Sequence, residues 1–234
     1  MKLPWPILLV ALVLPTIGAI GYFALASANG ATFRVLYGIS KVVQFALPVA
    51  WLLAANRQRL LAIRLSPRGW GGGLAFGFLT AMAIVGLYTV ALRGGPTFVG
   101  VADAVREKVA ALGLDSPARY VGLAVFLSVI HSFLEEYYWR WFIHAGLRER
   151  LPQAGANALS SLAFAVHHIV VLDVYFPGRL WSATLPFTLG VAVGGAFWAW
   201  WYERTGSLAG PWVAHAAADF AITAIGYDLL YGIG

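Results

Sequence analysis

Acidic and basic side chains that could activate water lie inside stretches that are otherwise strongly apolar. The central pair is Glu135 and Glu136, in a stretch that also holds His131 and Arg140. A charged side chain inside a bilayer costs at least ~2.5–3.5 kcal/mol, so such residues rarely lie there without a task. With the polar residues of two later apolar stretches, the candidate site residues are Glu135, Glu136, Arg140, His168, His215 and Asp219.

Helical spacing sorts the first of these residues into pairs. His131 and Glu135 are four residues apart, as are Glu136 and Arg140, so each pair shares one face of a helix. In the second pair the acid precedes the base, which is the favourable order for an ion pair. Arg140 can therefore neutralise Glu136, while Glu135 lies about 100° further around the helix and faces elsewhere.

A carboxylate and two imidazoles from separate helices can hydrolyse an amide. Glu135 would take a proton from water as general base, and His168 and His215 would orient the water or stabilise the oxyanion. Two histidines and one carboxylate are also a familiar zinc set. We expect a site without a cofactor, and zinc ligation by the same residues is the alternative.

The remaining histidines of these stretches have plainer interpretations. His131 is either a partner of Glu135 or a structural residue. His144 and His167 are expected to make hydrogen bonds in helix packing, as lone polar residues in membrane helices often do.

The composition bounds the class of protein. Hydrophobic residues make up 60% of the 234-residue chain and charged residues only 11%, with a mean hydropathy of +0.76. A soluble domain cannot bury that much apolar surface, so the chain is predicted to span a membrane repeatedly. It has no cysteine, which excludes disulfides and thiolate sites. The net charge of +6 is spread over short loops, which favours contact with the lipid bilayer and not with nucleic acid.

The fold class is an all-α polytopic bundle of about seven to eight spans. A helix needs roughly 20 apolar residues to cross a bilayer. The connection 93–119 carries charges among apolar residues and predicts a short amphipathic surface helix. We divide the single membrane domain into N-terminal helices with their surface loop, 1–118, and a catalytic helical core, 119–231. The predicted spans are 5–27, 33–55, 70–92, 120–146, 157–176, 181–202 and 208–231.

Basic residues in the loops predict the orientation. Cytoplasmic loops carry an excess of Lys and Arg, and Arg57, Arg59, Arg64 and Arg68 crowd one loop. This loop is expected in the cytoplasm, with the N-terminus inside and the C-terminus outside. Alternation then puts Lys2, Arg148, Arg150 and Arg204 on the same side, and Arg34, Arg93, Arg106, Lys108, Arg119 and Arg179 on the other.

Three motifs in order resemble those of one known family. The run Glu135–Arg140 matches an EExxxR signature, Phe164 and His168 match FxxxH, and His215 is followed four residues on by Asp219. The chain thereby resembles the CPBP family of CAAX-processing and bacteriocin-processing intramembrane proteases, which are related to the Ras-converting CAAX endopeptidase. The resemblance is carried by the second half of the chain, about residues 120–222.

The resemblance implies roles for the site residues. Glu135 would be the catalytic base, supported by Glu136 and Arg140. His168 and His215 would hold the water and the developing oxyanion.

Asp219 stands where the family usually has Asn. An ionised Asp can only accept a hydrogen bond, so it cannot bind an oxyanion as an Asn amide can. Asp219 is therefore expected either to orient His215 or to stay protonated.

The resulting hypothesis is an intramembrane endopeptidase that cuts a membrane-tethered protein or peptide near its C-terminus. The resemblance favours the inner membrane of a bacterial or archaeal cell. The substrate would bring its own recognition element, either a prenylated C-terminal motif or a C-terminal helix with a sorting signal. Other intramembrane proteases fit poorly, since HExxH and GxSxG motifs are missing. A proton-coupled transporter and a non-catalytic immunity or scaffold protein remain alternatives, and no feature of the sequence fixes the oligomeric state.

Overall fold

The computed structural model describes residues 3–25, 30–55 and 63–232, and these residues form helices with no strand among them. Seven helices in these ranges are long and apolar enough to cross a membrane, which confirms the predicted all-α bundle. The helices are α1 (Trp5–Phe23), α2 (Gly30–Ala54), α3 (Trp70–Leu92), the short α4 (Val101–Ala111), α5 (Pro117–Arg148), α6 (Gln153–Tyr175), α7 (Leu180–Thr205) and α8 (Ala209–Tyr231).

The outward faces of the spanning helices are apolar. Val42, Phe78 and Val193, on three different helices, are each more than half exposed. Apolar side chains outside and backbone groups paired within helices are what hydrocarbon requires. The chain is therefore an integral, multi-pass membrane protein.

Helix α4 is the predicted amphipathic surface helix. Val101 and Val109 are buried beneath it, whereas Asp103 and Arg106 pair with each other on its exposed side. Ser116 then caps the start of α5, where its hydroxyl accepts a hydrogen bond from the backbone N–H of Arg119. The next spanning helix thus begins directly after the surface helix.

Helix α5 is irregular along its length. Phe126–His131 and Tyr137–His144 are π-helical, and Ser132–Glu136 between them is α-helical. The wider π turns shift the faces that side chains present, and they occur frequently at functional sites. The two glutamates therefore lie on a short regular turn between two irregular ones, a feature that the simple helical spacing did not predict.

Small residues bring α3 and α8 into close contact. A Cβ atom built at Gly73 would lie 2.3 Å from the carbonyl oxygen of Gly210, and one at Gly77 would lie 2.9 Å from Cα of Ala214. Both pairs are spaced four residues apart, as in the small-xxx-small interfaces of membrane helices. Because α8 also carries His215, this contact fixes the depth and rotation of one site residue.

Buried side-chain hydrogen bonds tie the other helices to the same core. The Tyr138 hydroxyl donates to the carbonyl of Ala11, which links α5 to α1. The Asn157 amide donates to the carbonyl of Ala196 and links α6 to α7. Such bonds substitute for the hydrophobic effect, which cannot drive helices together in lipid.

Contacts between loops and helix ends lie at both ends of the bundle, and the predicted orientation in the membrane stays a prediction. At one end Arg148 pairs with Glu203, and the carbonyl of Arg64 accepts a hydrogen bond from the N–H of Leu208. At the other end Arg93 pairs with Asp228. Residues 26–27 of the first predicted span, together with Lys2, Arg57 and Arg59, lie outside the described residues.

Candidate functional site

Glu135 and Glu136 are buried at the centre of α5. Glu135 is 4% exposed and Glu136 is completely buried. Burying a charge in low dielectric is costly unless it is paired and hydrogen-bonded. The partners of each carboxylate therefore define what that carboxylate can do.

Glu136 is fully engaged by its neighbours. Its Oε2 lies 3.1 Å from Arg140 Nε, although the N–H is not aimed squarely at the oxygen, so this contact is an ion pair more than a hydrogen bond. Its Oε1 lies 2.9 Å from Nδ1 of His215 on α8. The predicted Glu136–Arg140 pair is present, and the carboxylate also reaches a second helix.

Arg140 is held from several sides. Its Nη2 contacts the carbonyl of Gly195 at 3.4 Å, and its guanidinium carbon lies 4.9 and 5.3 Å from the ring centroids of Phe164 and Trp198. Aromatic faces and a carbonyl are suitable surroundings for a buried guanidinium. A Cβ at Gly195 would lie 3.2 Å from Phe164 and 3.5 Å from Arg140 Nη2, so a larger residue there would press on the side chains around the guanidinium.

His215 is oriented by Glu136, and this corrects one expectation. A carboxylate can only accept, so Nδ1–H of His215 donates to Glu136 Oε1. Asp219 was expected either to orient this ring or to stay protonated, and the first of these roles is not seen, since its Oδ1 lies 3.7 Å from Nε2 of His215, beyond hydrogen-bond distance. The ring also stacks on Trp198, with centroids 4.2 Å apart and planes 14° apart. His215 therefore directs Nε2 away from Glu136.

Glu135 has one engaged oxygen and one available oxygen. Its Oε1 lies 3.2 Å from Nε2 of His131, so His131 is a partner of Glu135. Its Oε2 lies 3.8 Å from Nε2 of His215, too far for a direct hydrogen bond. Within the described part of the chain, no side chain donates a hydrogen bond to Oε2. This oxygen is free to accept a proton.

The two histidines of α6 lie beside Glu135 in different ways. The ring nitrogen Nδ1 of His168 lies 2.9 Å from the carbonyl oxygen of Phe164. A carbonyl only accepts, so Nδ1 carries the proton and the Nε2 of a neutral His168 keeps its lone pair. The charge of Glu135 interacts with His168 electrostatically.

His167 is buried between α5 and α6 and packs against aromatic rings, with Glu135 nearby. Its Nε2 lies 3.9 Å from Glu135 Oε1, and its ring is parallel to that of Trp139 at 5.9 Å. His144 makes the predicted packing contact, with Nδ1 3.3 Å from the hydroxyl of Ser160.

Metal binding was the alternative use of these residues. No group of three or more His, Asp or Glu side chains in residues 3–25, 30–55 and 63–232 is arranged to hold a metal ion.

Lys41 is a further charged residue at this site that the sequence analysis missed. It lies in the middle of α2 and interacts electrostatically with Glu135. The sequence could have indicated it, because Arg34 and Lys41 are the two charged residues of the predicted span 33–55 and Arg34 lies near its start.

Comparison with known proteins identifies the part of the chain that holds most of this site. Residues 117–221 match the family model described as type II CAAX prenyl endopeptidase Rce1-like. The matched residues run from the start of α5 into α8 and include every candidate site residue predicted from the sequence. Searches of curated proteins and of solved structures found no significant match.

Proposed function

We propose, from the premise that residues 117–221 belong to the Rce1-like family of type II CAAX prenyl endopeptidases, that Glu135 activates water to cut a substrate near its C-terminus. The family is one of membrane peptidases, so the chain is a hydrolase of peptide bonds.

One observation carries the proposal. Glu135 is held through Oε1 by His131 at 3.2 Å, while Oε2 has no donor among the described residues and faces His215. A general base must be fixed in position and must keep a lone pair for the proton that it removes. Glu136, whose two oxygens are both engaged, does not meet the second condition.

The hydrolytic step follows from these groups. A water molecule donates one proton to Oε2 of Glu135 and a second hydrogen bond to the bare Nε2 of His168. Its oxygen attacks the scissile carbonyl carbon, and the carbonyl oxygen becomes an oxyanion. Glu135 then delivers its proton to the amide nitrogen, the C–N bond breaks, and the carboxylate is regenerated.

The oxyanion needs a donor, and His215 is the best positioned one. With Nδ1–H bonded to Glu136, a doubly protonated His215 has Nε2–H left to donate on the Glu135 side. An ionised Asp219 cannot donate there, and its carboxylate 3.7 Å away instead offers a charge that complements the imidazolium. Neutral Asp219 would be a second donor.

The substrate is delivered by the membrane. A site buried among spanning helices is reached most directly by a chain that is itself anchored in lipid, through a prenyl group or a helix. We propose the cell membrane of a bacterium or archaeon as its location.

The test is a cleavage assay with the protein reconstituted in vesicles. The substrates are fluorogenic peptides anchored by an S-farnesyl cysteine or by an apolar helix, each with a free C-terminus. We expect wild type to cut at least one of them and Glu135→Gln to lose about 10²- to 10⁴-fold or more, the usual contribution of a general base.

Two further readouts separate the alternatives. Cleavage that persists in chelator supports water activated by Glu135 alone, and loss in chelator restored by zinc would replace that mechanism. Proton flux without cleavage would favour a transporter.

A further inference from the structure

Lys41 places a cation among apolar residues half-way along α2. The helix runs from Gly30 to Ala54, so the lysine has more than two turns on either side and cannot easily reach a membrane surface. Its side chain is half-buried. An ammonium group at this depth needs an anionic or strongly polar partner.

The partners of Lys41 within the protein are weak. Its Nζ lies 3.4 Å from Oε1 of Gln44 and 5.9 and 5.8 Å from the ring centroids of Tyr37 and Phe45. Among the described residues it forms no direct ion pair with a carboxylate. The amide nitrogen Nε2 of Gln44 is also buried, and it has no hydrogen-bond partner there. An acceptor between Lys41 and Gln44 would satisfy two donors at once.

The lysine is connected to the catalytic carboxylate by a short series of contacts. The Phe45 ring packs edge-on against His131 at 5.8 Å, and His131 in turn contacts Glu135 at 3.2 Å. An extended chain advances ~3.3–3.6 Å per residue, so a peptide could reach from Glu135 to Lys41 in a few residues.

We propose that Lys41, together with Gln44, binds the free C-terminal carboxylate of the substrate. The inference rests on the proposed function, because only an enzyme that cuts near a C-terminus meets this anion a few residues beyond the scissile bond. An ammonium–carboxylate hydrogen bond is among the strongest polar contacts, and more so where water is excluded. Lys41 thereby sets how far from the C-terminus the chain is cut.

Binding to an inactive protein tests this directly. The probes are a fluorescent peptide with an S-farnesyl cysteine four residues from its end and a second peptide with an apolar helical anchor, each made as the C-terminal acid and as the C-terminal amide. The background is Glu135→Gln, which does not consume the probe. To this background we add Lys41→Met or Lys41→Arg. The matched control is Lys108→Met, because Lys108 is a lysine on α4 whose Nζ pairs with Glu107.

We expect the Glu135→Gln protein to bind at least one acid about tenfold or more tightly than its amide. Lys41→Met should lower the affinity for the acid to that for the amide and leave the affinity for the amide unchanged. Lys41→Arg should keep a preference for the acid, and Lys108→Met should change neither.

Equal binding of acid and amide for both anchors would overturn the proposal. So would a Lys41→Met substitution that weakens binding of the acid and of the amide alike, because Lys41 would then support the site as a whole and not bind the terminal carboxylate. These outcomes are independent of the proposed function, which fails instead if Glu135→Gln cleaves at the wild-type rate.

Discussion

The two glutamates of α5 are adjacent in sequence and have opposite surroundings. On one side, Glu136 contacts Arg140 and His215, and the guanidinium is enclosed by Phe164 and Trp198. On the other side, Glu135 is held through one oxygen and has the other free. We call the surroundings of Glu136, which hold helices together, the closed side of α5. We call the surroundings of Glu135, where water activation is proposed, the open side.

The closed side should contribute most to stability. Arg140→Met leaves the Glu136 carboxylate buried with only His215, and breaking a buried pair in this way costs ~3–5 kcal/mol. We expect the loss in reversible unfolding by SDS in mixed micelles, with cleavage lost as His215 is released.

Arg148→Met is the matched control for that experiment. Arg148 lies on the same helix and pairs with Glu203, but its side chain is 35% exposed, so screening limits its contribution to ~1 kcal/mol or less. Equal effects of the two substitutions would remove the distinction between a buried and a surface pair.

The contact between α3 and α8 should have the next largest effect on stability. In Gly73→Leu the new side chain meets the backbone of Gly210, which cannot move aside without shifting α8. We expect a loss of ~1–3 kcal/mol in the unfolding assay, typical of overpacking, and lower cleavage because α8 carries His215. Gly86→Leu, on the same helix with open space around its Cβ, should leave both properties near wild type.

A substitution on the open side should lower the rate of cleavage more than the free energy of unfolding. His131→Phe keeps a ring against Phe45 but removes the donor to Glu135 Oε1. We expect kcat to fall by about tenfold to a hundredfold, the scale of one charge-assisted hydrogen bond, and the free energy of unfolding to fall by less than in Arg140→Met, because Glu135 keeps a small exposed fraction whereas Glu136 has none. His131→Gln can still donate and should recover part of the rate. An unchanged kcat in His131→Phe would mean that Glu135 is positioned by other groups.

Of these substitutions, Asp219→Asn should have the smallest effect on cleavage. Its oxygen does not hydrogen-bond to His215, so Asp219→Asn removes a nearby charge without breaking a bond within the described residues. We expect kcat/KM to stay within a few-fold of wild type, or to rise if the new amide donates to the oxyanion. A large loss would show that the charge itself is required on the open side.

Local features of the site were predictable from the sequence, whereas contacts between helices were not. The Glu136–Arg140 pair and the His131–Glu135 pair follow from a spacing of four residues, which any near-regular helix brings together. The bond from His215 to Glu136 depends on how α8 is rotated against α5, and nothing local to either segment determines that rotation. The spacing of four residues between His215 and Asp219 made an orienting role one of the two expectations for Asp219, and local spacing could not show that Glu136 takes that role.

The spanning helices were predictable because their hydropathy and length follow directly from the order of residues in the chain. The π-helical turns of α5 were not, since hydropathy and length do not distinguish a π-helical turn from an α-helical one. The approach of α3 to α8 did leave a signal, in the spacing of Gly73 from Gly77 and of Gly210 from Ala214. Lys41 left one too, as a charge in an apolar span.

The most direct test compares Glu135→Gln with Glu136→Gln in one preparation, measuring both cleavage and unfolding. We expect Glu135→Gln to lose cleavage while its unfolding midpoint stays near wild type, because the amide still accepts from His131 and the fully buried Glu136–Arg140 pair is kept. We expect Glu136→Gln to lower the midpoint markedly, because Arg140 loses its counter-charge. Wild-type cleavage by Glu135→Gln would contradict the assignment of the base, whatever the behaviour of Glu136→Gln.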